Sequence, residues 1–442
     1  MNLDDALARC NAAPLHRPRG VVQEVVGLIV EVGGLRAAVG DTLIIESTHG
    51  EPDEIEVIGF RSGRLVTTPL GSMSGVSQGA PVRHTHRGAS VQVSPELLGR
   101  VVDAFGRPID GGKPITTACE YPVHNPPPPA FQRRPIDKPF STGIRAIDGL
   151  SPLGIGQRIG IFAGAGVGKS TLLGMICRSS QADINVVGLI GERGRELNDF
   201  IRNSLGPDGL ARSVIVTATS DQPPLLRARG AESATAIAEY FRDQGKNVLL
   251  VMDSITRFAM ATREAALAAG EPPATKGYPP SVFAALPRLL ERAGTTGSKG
   301  TITALYTVLV EGDDMTDPIA DAVRGILDGH VIMSRDLAEK SHYPAIDVLQ
   351  SLSRLAVEVA PAPALRAASI LRELLASYRE AADLIQVGAY QRGSDPRVEL
   401  AIKLLPQINA FLQQRTDERM PLGDTRNHLL ELARSAESGV HR

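Results

Sequence analysis

The fold is decided by one stretch of the chain, Ala163-Gly164-Ala165-Gly166-Val167-Gly168-Lys169-Ser170-Thr171. The residues before it, Arg158–Ala163, are typical of a buried strand, and Thr171–Ser179 after it has the apolar spacing of a helix. A glycine-rich turn between strand and helix directs backbone N–H groups inward, and the helix N-terminus adds partial positive charge. The pattern predicts a phosphate-binding loop, in which Lys169 contacts the outer phosphates of a nucleotide and Ser170 binds Mg²⁺.

One position of this loop departs from the usual pattern, because Ala163 stands where the first glycine is expected. Alanine is small, so we expect the turn to survive and residues Ala163–Thr171 to bind nucleotide. The alternative is a glycine-rich turn that connects a strand to a helix and binds no ligand. The strand pattern before the loop and the helix pattern after it favour phosphate binding.

From about Phe140 onward, the chain alternates apolar strand-like runs with helical patterns. Runs that are apolar on both faces are typical of parallel strands covered on each side by helices. The sequence therefore predicts an α/β fold with a mainly parallel sheet. The strand-like runs are Arg158–Ala163, Ile184–Gly191, Ser213–Thr219, Asn247–Met252 and Thr301–Val310, and the helical patterns include Thr171–Ser179 and Ala231–Asp243.

The two ends of the chain differ from this central part. Short β-rich runs separated by glycines, among them Val25–Val32, predict a small barrel or sandwich near the N-terminus. Three helical patterns predict a C-terminal helical domain, and Pro406 is expected to kink or split the second of them, Arg397–Gln414. We predict five segments: an N-terminal segment 1–19, a β-domain 20–93, a linker and core edge 94–139, the α/β core 140–360 and a helical domain 361–442.

The composition argues against several classes of protein. The 442 residues carry 47 Lys and Arg against 49 Asp and Glu, a net charge of −2, which does not fit a globally basic nucleic-acid coat. No Trp, 7 Tyr and 10 Phe leave few rings for stacking single-stranded bases. Three widely spaced cysteines, Cys10, Cys119 and Cys177, predict a reducing compartment without disulfides. We expect neither a secretory signal nor a membrane-spanning stretch.

Two acidic residues follow strand-like runs, and the C-terminal edge of a parallel sheet is where a nucleotide binds. Asp253 follows Asn247–Met252 and is the candidate for holding Mg²⁺, with capping of the next helix as the alternative. Glu192 follows Ile184–Gly191 and is the candidate for polarising the water that attacks the γ-phosphate. The alternative for Glu192 is a surface ion pair with a neighbouring arginine.

Several long blocks carry a resemblance to a known family. The block Gly188–Glu196, which reads GLIGERGRE, is similar to that of catalytic subunits in the rotary ATP synthase superfamily. Three further blocks resemble the ATPases of bacterial type III secretion, which serve flagella or injectisomes: Ala274–Phe283, Asp328–His330 and His342–Asp347. The blocks occur in the order found in the family, and the resemblance covers about residues 20–415.

The resemblance implies an N-terminal β-barrel, a RecA-like P-loop core and a C-terminal helical domain, assembled as a homohexamer with nucleotide between protomers. It also implies roles for the residues that match the family's motifs. Glu192 is implied as the general base, and Asp253 as the magnesium residue at the end of its strand. Two further active-site arginines are implied, Arg193 and Arg257. Arg354 is implied as an arginine finger, and Tyr343 as a ring that packs against adenine.

An arginine finger is a guanidinium that stabilises the charge spread over the γ-phosphate oxygens in the transition state. Without the resemblance, Arg354 would be read as the partner of a nearby carboxylate such as Asp347 or Glu358. Tyr343 precedes a proline, so its alternative is an aromatic ring that only packs in the core.

The function implied by the resemblance is Mg²⁺-dependent ATP hydrolysis that energises protein export, with unfolding of substrates and their release from chaperones. The implied partners are the export gate, a central stalk, a peripheral stator protein acting through residues 1–19, secretion chaperones and exported substrates, without sequence-specific nucleic acid. The implied location is cytoplasmic, peripheral at the inner-membrane face of the apparatus. Two alternatives stay open: a catalytic subunit of a rotary ATP synthase or ion pump, and an RNA-translocating hexamer similar to the Rho helicase.

Overall fold

The computed structural model describes residues 19–46, 52–297, 300–310, 312 and 314–440. The chain divides into two compact units. The first holds the N-terminal part to Ala89 together with Ala265–Glu271, and the second holds the remainder. The predicted N-terminal segment 1–19 and its expected stator contact lie, apart from Arg19, outside the described residues.

Among its described residues, the first unit contains six strands: β1 Arg19–Val26, β2 Ile29–Gly33, β3 Asp41–Ile45, β4 Asp53–Arg61, β5 Arg64–Pro69 and β6 Pro81–Gly88. They form a closed antiparallel barrel in the order β1-β2-β5-β4-β3-β6, which confirms the predicted N-terminal barrel. Its interior is filled by alternate apolar side chains such as Val30, Leu43 and Ile55. The run Val25–Val32 was expected to form one strand, which is wrong, because Gly27 takes a positive φ of 58° in a hairpin turn.

In the second unit, the part of the chain that the structure describes forms thirteen strands: β7 Ser90–Val93, β8 Val101–Val102, β9 Cys119–Pro122, β10 Pro139–Phe140, β11 Leu153–Gly154, β12 Arg158–Ala163, β13 Ile184–Ile190, β14 Ser213–Ala218, β15 Asn247–Asp253, β16 Gly294–Thr295, β17 Thr301–Leu309, β18 Gly329–Met333 and β19 Ile346–Ser353. Nine of them form one sheet, along the path β19-β18-β12-β17-β15-β13-β14-β8, with β16 beside β17. All pairs in this sheet are parallel except β18 with β19 and β16 with β17, which confirms the predicted mainly parallel sheet.

The helices of the second unit pack against this sheet and against one another, and the helix Pro224–Asp243 covers β13, β14 and β15. Together with α6, which extends into the first unit, they are α1 Arg145–Leu150, α2 Lys169–Ser179, α3 Gly194–Asp199, α4 Gly206–Ala211, α5 Pro224–Asp243, α6 Ile255–Ala268, α7 Pro280–Leu290, α8 Pro318–Ile326, α9 Arg335–Glu339, α10 Ala356–Val359, α11 Ala362–Gln386, α12 Pro396–Leu412 and α13 Leu422–Val440. A π-helical segment, Phe200–Leu205, joins α3 to α4. Over the described ranges, no helix is both long and apolar enough to cross a membrane.

The last three helices, α11 to α13, form the predicted C-terminal helical domain and pack on α1. Pro406 lies inside α12 and does not split it, contrary to one of the two expected outcomes. The proline removes one helical hydrogen bond, but the buried Leu404 and Ile408 on either side of it keep the helix packed against its neighbours. The helix ends at Leu412, so Gln414 lies beyond it and not within it as the pattern predicted.

Candidate functional site

The glycine-rich loop leaves the sheet at the end of β12 and leads directly into α2, which begins at Lys169. Gly166 and Gly168 adopt positive φ angles of 79° and 91°. Residues other than glycine rarely adopt this backbone conformation, so the two glycines allow the loop to make its turn. The structure therefore gives the predicted loop its expected setting, with backbone amides at a helix N-terminus.

The loop lysine lies beside a buried carboxylate from a different strand. The Nζ atom of Lys169 donates a hydrogen bond to Oδ1 of Asp253 over 2.5 Å. Asp253 is the last residue of β15 and is 3% exposed. The hydroxyl of Thr307, on the intervening strand β17, donates to the same oxygen at 2.7 Å. Two donors thus hold this carboxylate in place at the C-terminal edge of the sheet.

Glu192 completes a cluster with these two residues, since its Oε1 atom lies 4.0 Å from Nζ of Lys169. It follows β13 and the turn residue Gly191, whose φ is 68°. Burial raises the pKa of Glu192 to about 7, and the Asp253 carboxylate adds to this rise while Lys169 opposes it. A carboxylate with a pKa near neutrality is suited to accept a proton from water. The structure therefore groups one cation, Lys169, with two carboxylates, Glu192 and Asp253, at this edge of the sheet.

Arg257 lies next to this cluster at the start of α6. Its side chain packs against Gly191, where a Cβ would come within 2.9 Å of the Cβ of Arg257. The Nε atom of Arg257 is buried and has no hydrogen-bond partner within the described part of the chain. The half-buried guanidinium of Arg257, next to the Gly191 turn that precedes Glu192, is positioned to meet an anionic ligand.

The residues around Lys169 suit Mg²⁺ of the kind held jointly by a protein and a phosphate. Asp253 supplies a buried carboxylate, and Ser170 an exposed hydroxyl in the first turn of α2. Across the described ranges, no three His, Cys, Asp or Glu side chains are grouped so that they could hold a metal by themselves. Mg²⁺ commonly binds through one or two protein oxygens together with substrate phosphates, so this donor set fits the ion.

A cavity of about 600 Å³ opens beside the loop. Its lining includes Gly168 and Thr171 on one side and Tyr343 on another. The Tyr343 ring is 47% exposed, and two of its carbons lie 3.7 Å from the position that a Cβ on Gly168 would occupy. The structure thus places the predicted adenine-packing ring at the phosphate loop, in a cavity of the size that ligands occupy.

Two of the predicted active-site arginines, Arg193 and Arg354, lie outside the cluster of Lys169, Glu192 and Asp253 in the single chain. The Arg193 side chain is 82% exposed and lies 3.8 Å from the Glu196 carboxylate on the same helical turn. Arg354 is exposed, and its Nη2 atom donates to the carbonyl of Arg324 at 3.3 Å. Both guanidiniums therefore lie on the surface of the protomer.

Arg354 stands at the opposite end of the sheet from the phosphate loop. It follows Ser353, which pairs with Gly329 at the beginning of β18. Met333, at the end of β18, pairs with Ala163, where the loop begins. At ~3.3 Å per residue, these two levels of β18 are roughly 13 Å apart. Within one protomer, Arg354 is therefore remote from its own loop.

Sequence reasoning missed several residues of the site. Thr307 was read only as part of a strand, although its place between two site-bearing strands could have suggested a bond to Asp253. The segment Gln413–Glu418 contributes to the cavity lining, but the sequence pattern places only its first two residues, at the end of the helix Arg397–Gln414, and gives no sign of a site. Arg145, which holds this segment, carried no local signal because its partners are more than 260 positions away.

Comparisons with known proteins agree with this architecture. Residues 143–353 match the family model described as ATP synthase alpha/beta family, nucleotide-binding domain. Residues 360–431 match the model of the T3SS EscN ATPase C-terminal domain. The flagellum-specific ATP synthase of Salmonella typhimurium is 51% identical over 434 residues, which covers 96% of this chain and 95% of that protein.

The chain belongs to the flagellar and type III secretion ATPase family. The type 3 secretion system ATPase of Xanthomonas euvesicatoria is 52% identical over 91% of both chains. The structure of the assembled ATPase EscN from enteropathogenic E. coli is 44% identical, with a TM-score of 0.87 over 94% of this chain and 100% of that one. This family member is thus an ATPase with a RecA-like core of the ATP synthase type, as the resemblance implied.

The C-terminal part of the chain decides between the branches of the superfamily. The match of residues 360–431 is to a domain of type III secretion ATPases, and the relatives named here serve flagella or type III secretion. The export ATPase is therefore favoured over the catalytic subunit of a rotary synthase and over the RNA-translocating hexamer.

Proposed function

We propose that this ATPase hydrolyses Mg²⁺–ATP at the cluster of Lys169, Glu192 and Asp253, and that the energy serves to unfold export substrates and release them from chaperones. The observation that carries the site assignment is the convergence of the three side chains at one edge of the sheet, beside a nucleotide-sized cavity. The export role is supported by the named relatives and by the matched C-terminal domain.

In this proposal, each group has a distinct task. The loop amides of Ala163–Thr171 and the Lys169 ammonium bind the phosphates, while the exposed ring of Tyr343 packs against adenine. Ser170 and Asp253 hold Mg²⁺, which supplies positive charge to the phosphate oxygens when bound. Glu192 orients the attacking water and accepts its proton, for which its raised pKa is suited.

Two kinds of arginine would stabilise the negative charge that develops on the γ-phosphate. Arg257 is half-buried next to Gly191 in the same chain and can act there directly. Arg354 is exposed at the far end of the sheet, so we propose that it acts on the nucleotide of a neighbouring protomer. Arg193, also exposed beside Glu192, is proposed as a further active-site arginine that approaches the nucleotide in the assembled state.

A finger supplied by a neighbour requires a ring, and we propose a homohexamer with nucleotide between protomers. The solved structures of EscN describe an assembled ATPase and its complex with the central stalk EscO, which supports a ring that binds a stalk. Further proposed partners are the export gate, a peripheral stator protein, secretion chaperones and their substrates. The proposed location is the cytoplasmic, inner-membrane face of the apparatus, without sequence-specific nucleic acid binding.

The test measures phosphate release by the purified chain with ATP, in the presence and absence of Mg²⁺, alongside the Lys169→Ala variant. We expect Mg²⁺-dependent turnover that the variant lacks, and a mass corresponding to six subunits in the presence of a non-hydrolysable ATP analogue. The Lys138→Ala variant, altered at an exposed lysine, is the control. Turnover that is equal in Lys169→Ala and wild type would place the chemistry elsewhere, and a stable complex with a second related chain would restore the rotary synthase alternative.

A further inference from the structure

Gln414 ties together three parts of the chain around the nucleotide cavity. Its side chain is 5% exposed, and its Oε1 atom accepts a hydrogen bond from the backbone amide of Arg145 at 2.9 Å. Its Nε2 atom donates to the carbonyls of Gly143 at 2.7 Å and Glu418 at 3.0 Å. Its backbone amide donates to the carbonyl of Tyr343 at 2.9 Å. The side-chain amide makes three hydrogen bonds, which leaves little capacity for a ligand.

Arg145 holds the same segment from the other side. It is 6% exposed and lies in α1, more than 260 residues before its partners. Its Nε atom donates to the carbonyl of Phe411 at 2.7 Å, and its Nη atoms donate to the carbonyl of Gln413 and to the Glu418 carboxylate. The last carbonyls of a helix lack partners within the helix and carry partial negative charge, so a guanidinium there is stabilising.

The segment held by these two residues forms one wall of the cavity that the phosphate loop also lines. Gln413, Gln414, Thr416 and Glu418 belong to this wall, and Tyr343 lies beside it. The phosphate loop itself has no contact with Arg145 or Gln414 among the hydrogen bonds of the described residues. The two buried residues therefore hold the wall formed by this segment and Tyr343, and among the described residues they do so without a hydrogen bond to the phosphate loop.

We propose that Arg145 and Gln414 are positioning residues that fix the nucleoside wall, Phe411–Glu418 with Tyr343, without touching the nucleotide. This inference rests on the proposed nucleotide site and deepens it. A wall held by buried hydrogen bonds is ordered before the nucleotide arrives, so binding does not have to order it. Substituting either residue should weaken the affinity for the nucleoside part of the nucleotide and leave the affinity for its phosphates unchanged.

The experiment compares affinities for ADP and for inorganic tripolyphosphate by titration calorimetry, since only ADP contacts the nucleoside wall. The Gln414→Glu substitution keeps the size of the side chain but replaces the donating amide with an oxygen that faces two carbonyls. Arg145→Met removes the guanidinium and keeps much of the apolar stem. We expect the Kd for ADP to rise at least about tenfold in both variants, with the Kd for tripolyphosphate within about twofold of wild type.

Two matched controls lie on exposed helix faces and make the same chemical changes. Gln407→Glu is in α12 and Arg434→Met is in α13. Neither residue lines the cavity, so both variants should keep wild-type affinity for ADP. In the positioning variants, turnover at saturating ATP should stay within about threefold of wild type while KM rises, since the reacting groups are unmoved.

A measurement on the unaltered protein covers the case in which a variant fails to fold. Hydrogen exchange of the amides in 411–418 should slow when ADP binds and stay unchanged with tripolyphosphate. An ADP affinity within twofold of wild type in both variants, or a parallel loss of ADP and tripolyphosphate affinity, overturns the positioning role. Failure of wild type to bind ADP, or tripolyphosphate binding unaffected by Lys169→Ala, overturns the proposed nucleotide site instead.

Discussion

The ammonium of Lys169 lies 2.5 Å from Oδ1 of Asp253, although the two residues are 84 positions apart in the chain. Their strands, β12 and β15, are not neighbours, because β17 runs between them. The loop lets Lys169 reach across β17, and Thr307 on that strand donates a hydrogen bond to the same carboxylate oxygen. This contact is thus assembled across three adjacent strands, and its geometry depends on the register of the sheet.

The assignment of Glu192 as general base predicts that Glu192→Gln reduces turnover by about 10²–10⁴-fold, because the amide cannot accept a proton. Affinity for ADP should change much less, since the amide keeps the size of the side chain. Steady-state phosphate release and ADP titration measure the two quantities. The matched control is Asp199→Asn on the exposed face of α3, which should keep full turnover. Near-equal rates in Glu192→Gln and wild type would reject the proposed base.

The raised pKa of Glu192 predicts the pH dependence of the reaction. The carboxyl must be ionised to accept a proton, and its pKa in the free enzyme is raised to about 7 by burial and by Asp253. The kcat/KM value reports ionisations of the free enzyme, so it should rise with pH and level off above about pH 7. A pH series of kcat/KM for wild type and Glu192→Gln tests this. The rising limb should be missing from the variant, and its persistence there would assign the limb to another group.

The position of Arg354 predicts that its catalytic contribution is made across an interface. Arg354→Ala should lower turnover by about 10³-fold or more, the effect typical of a lost arginine finger. Mixing Arg354→Ala with Lys169→Ala subunits should then recover activity, since about a quarter of randomly formed interfaces combine an intact lysine with an intact arginine. Phosphate release is measured over a range of mixing ratios. The absence of recovery at every ratio would contradict the arrangement in trans.

The exposed ring beside Gly168 predicts a role for Tyr343 in binding. Tyr343→Ala should weaken ADP binding by about tenfold, because stacking of a base on an aromatic ring contributes about 1–3 kcal/mol. Tyr343→Phe keeps the ring and should bind ADP within about twofold of wild type. Titration with a fluorescent ADP analogue measures both variants. Equal losses in the two variants would show that the hydroxyl, and not the ring, makes the contact.

A buried ion pair away from the nucleotide predicts a large effect on stability. Two nitrogens of Arg292 donate to the Glu239 carboxylate at 2.9 and 2.7 Å, and the side chains are 4% and 1% exposed. Arg292→Met leaves a buried carboxylate without its cation, which costs about 3–5 kcal/mol of unfolding free energy. Chemical denaturation measures the loss, and Glu239→Leu combined with Arg292→Met should recover part of it.

The control for this prediction is Arg324→Met, which removes an exposed pair with Asp321. The loss there should stay below about 1 kcal/mol, because exposed ion pairs are well solvated in both states. Equal losses in Arg292→Met and Arg324→Met would contradict the importance of burial.

Much of the α/β core could be predicted because the pattern that specifies each strand lies within a short stretch of sequence. The strand-like run at Arg158–Ala163 has the bounds of β12, and the runs leading to Glu192 and Asp253 match β13 and β15 closely. Parallel strands carry their C-terminal ends to one edge of a sheet, so placing acids after two such runs was enough to bring them together.

Other features escaped prediction because they depend on distant parts of the chain. For Pro406 the sequence predicts a kink or a split, and the split is absent because buried neighbours on both sides keep α12 continuous. Arg145 and Gln414 meet across 269 positions, a contact that no local pattern records.

The sheet separates the two halves of the proposed catalytic apparatus, with the phosphate loop at one end of β18 and Arg354 at the other. A single, unassembled copy of the protein would then bind ATP but hydrolyse it only slowly. The hydrolysis rate per subunit would rise steeply with protein concentration, and unassembled copies would consume little ATP until they join a secretion apparatus.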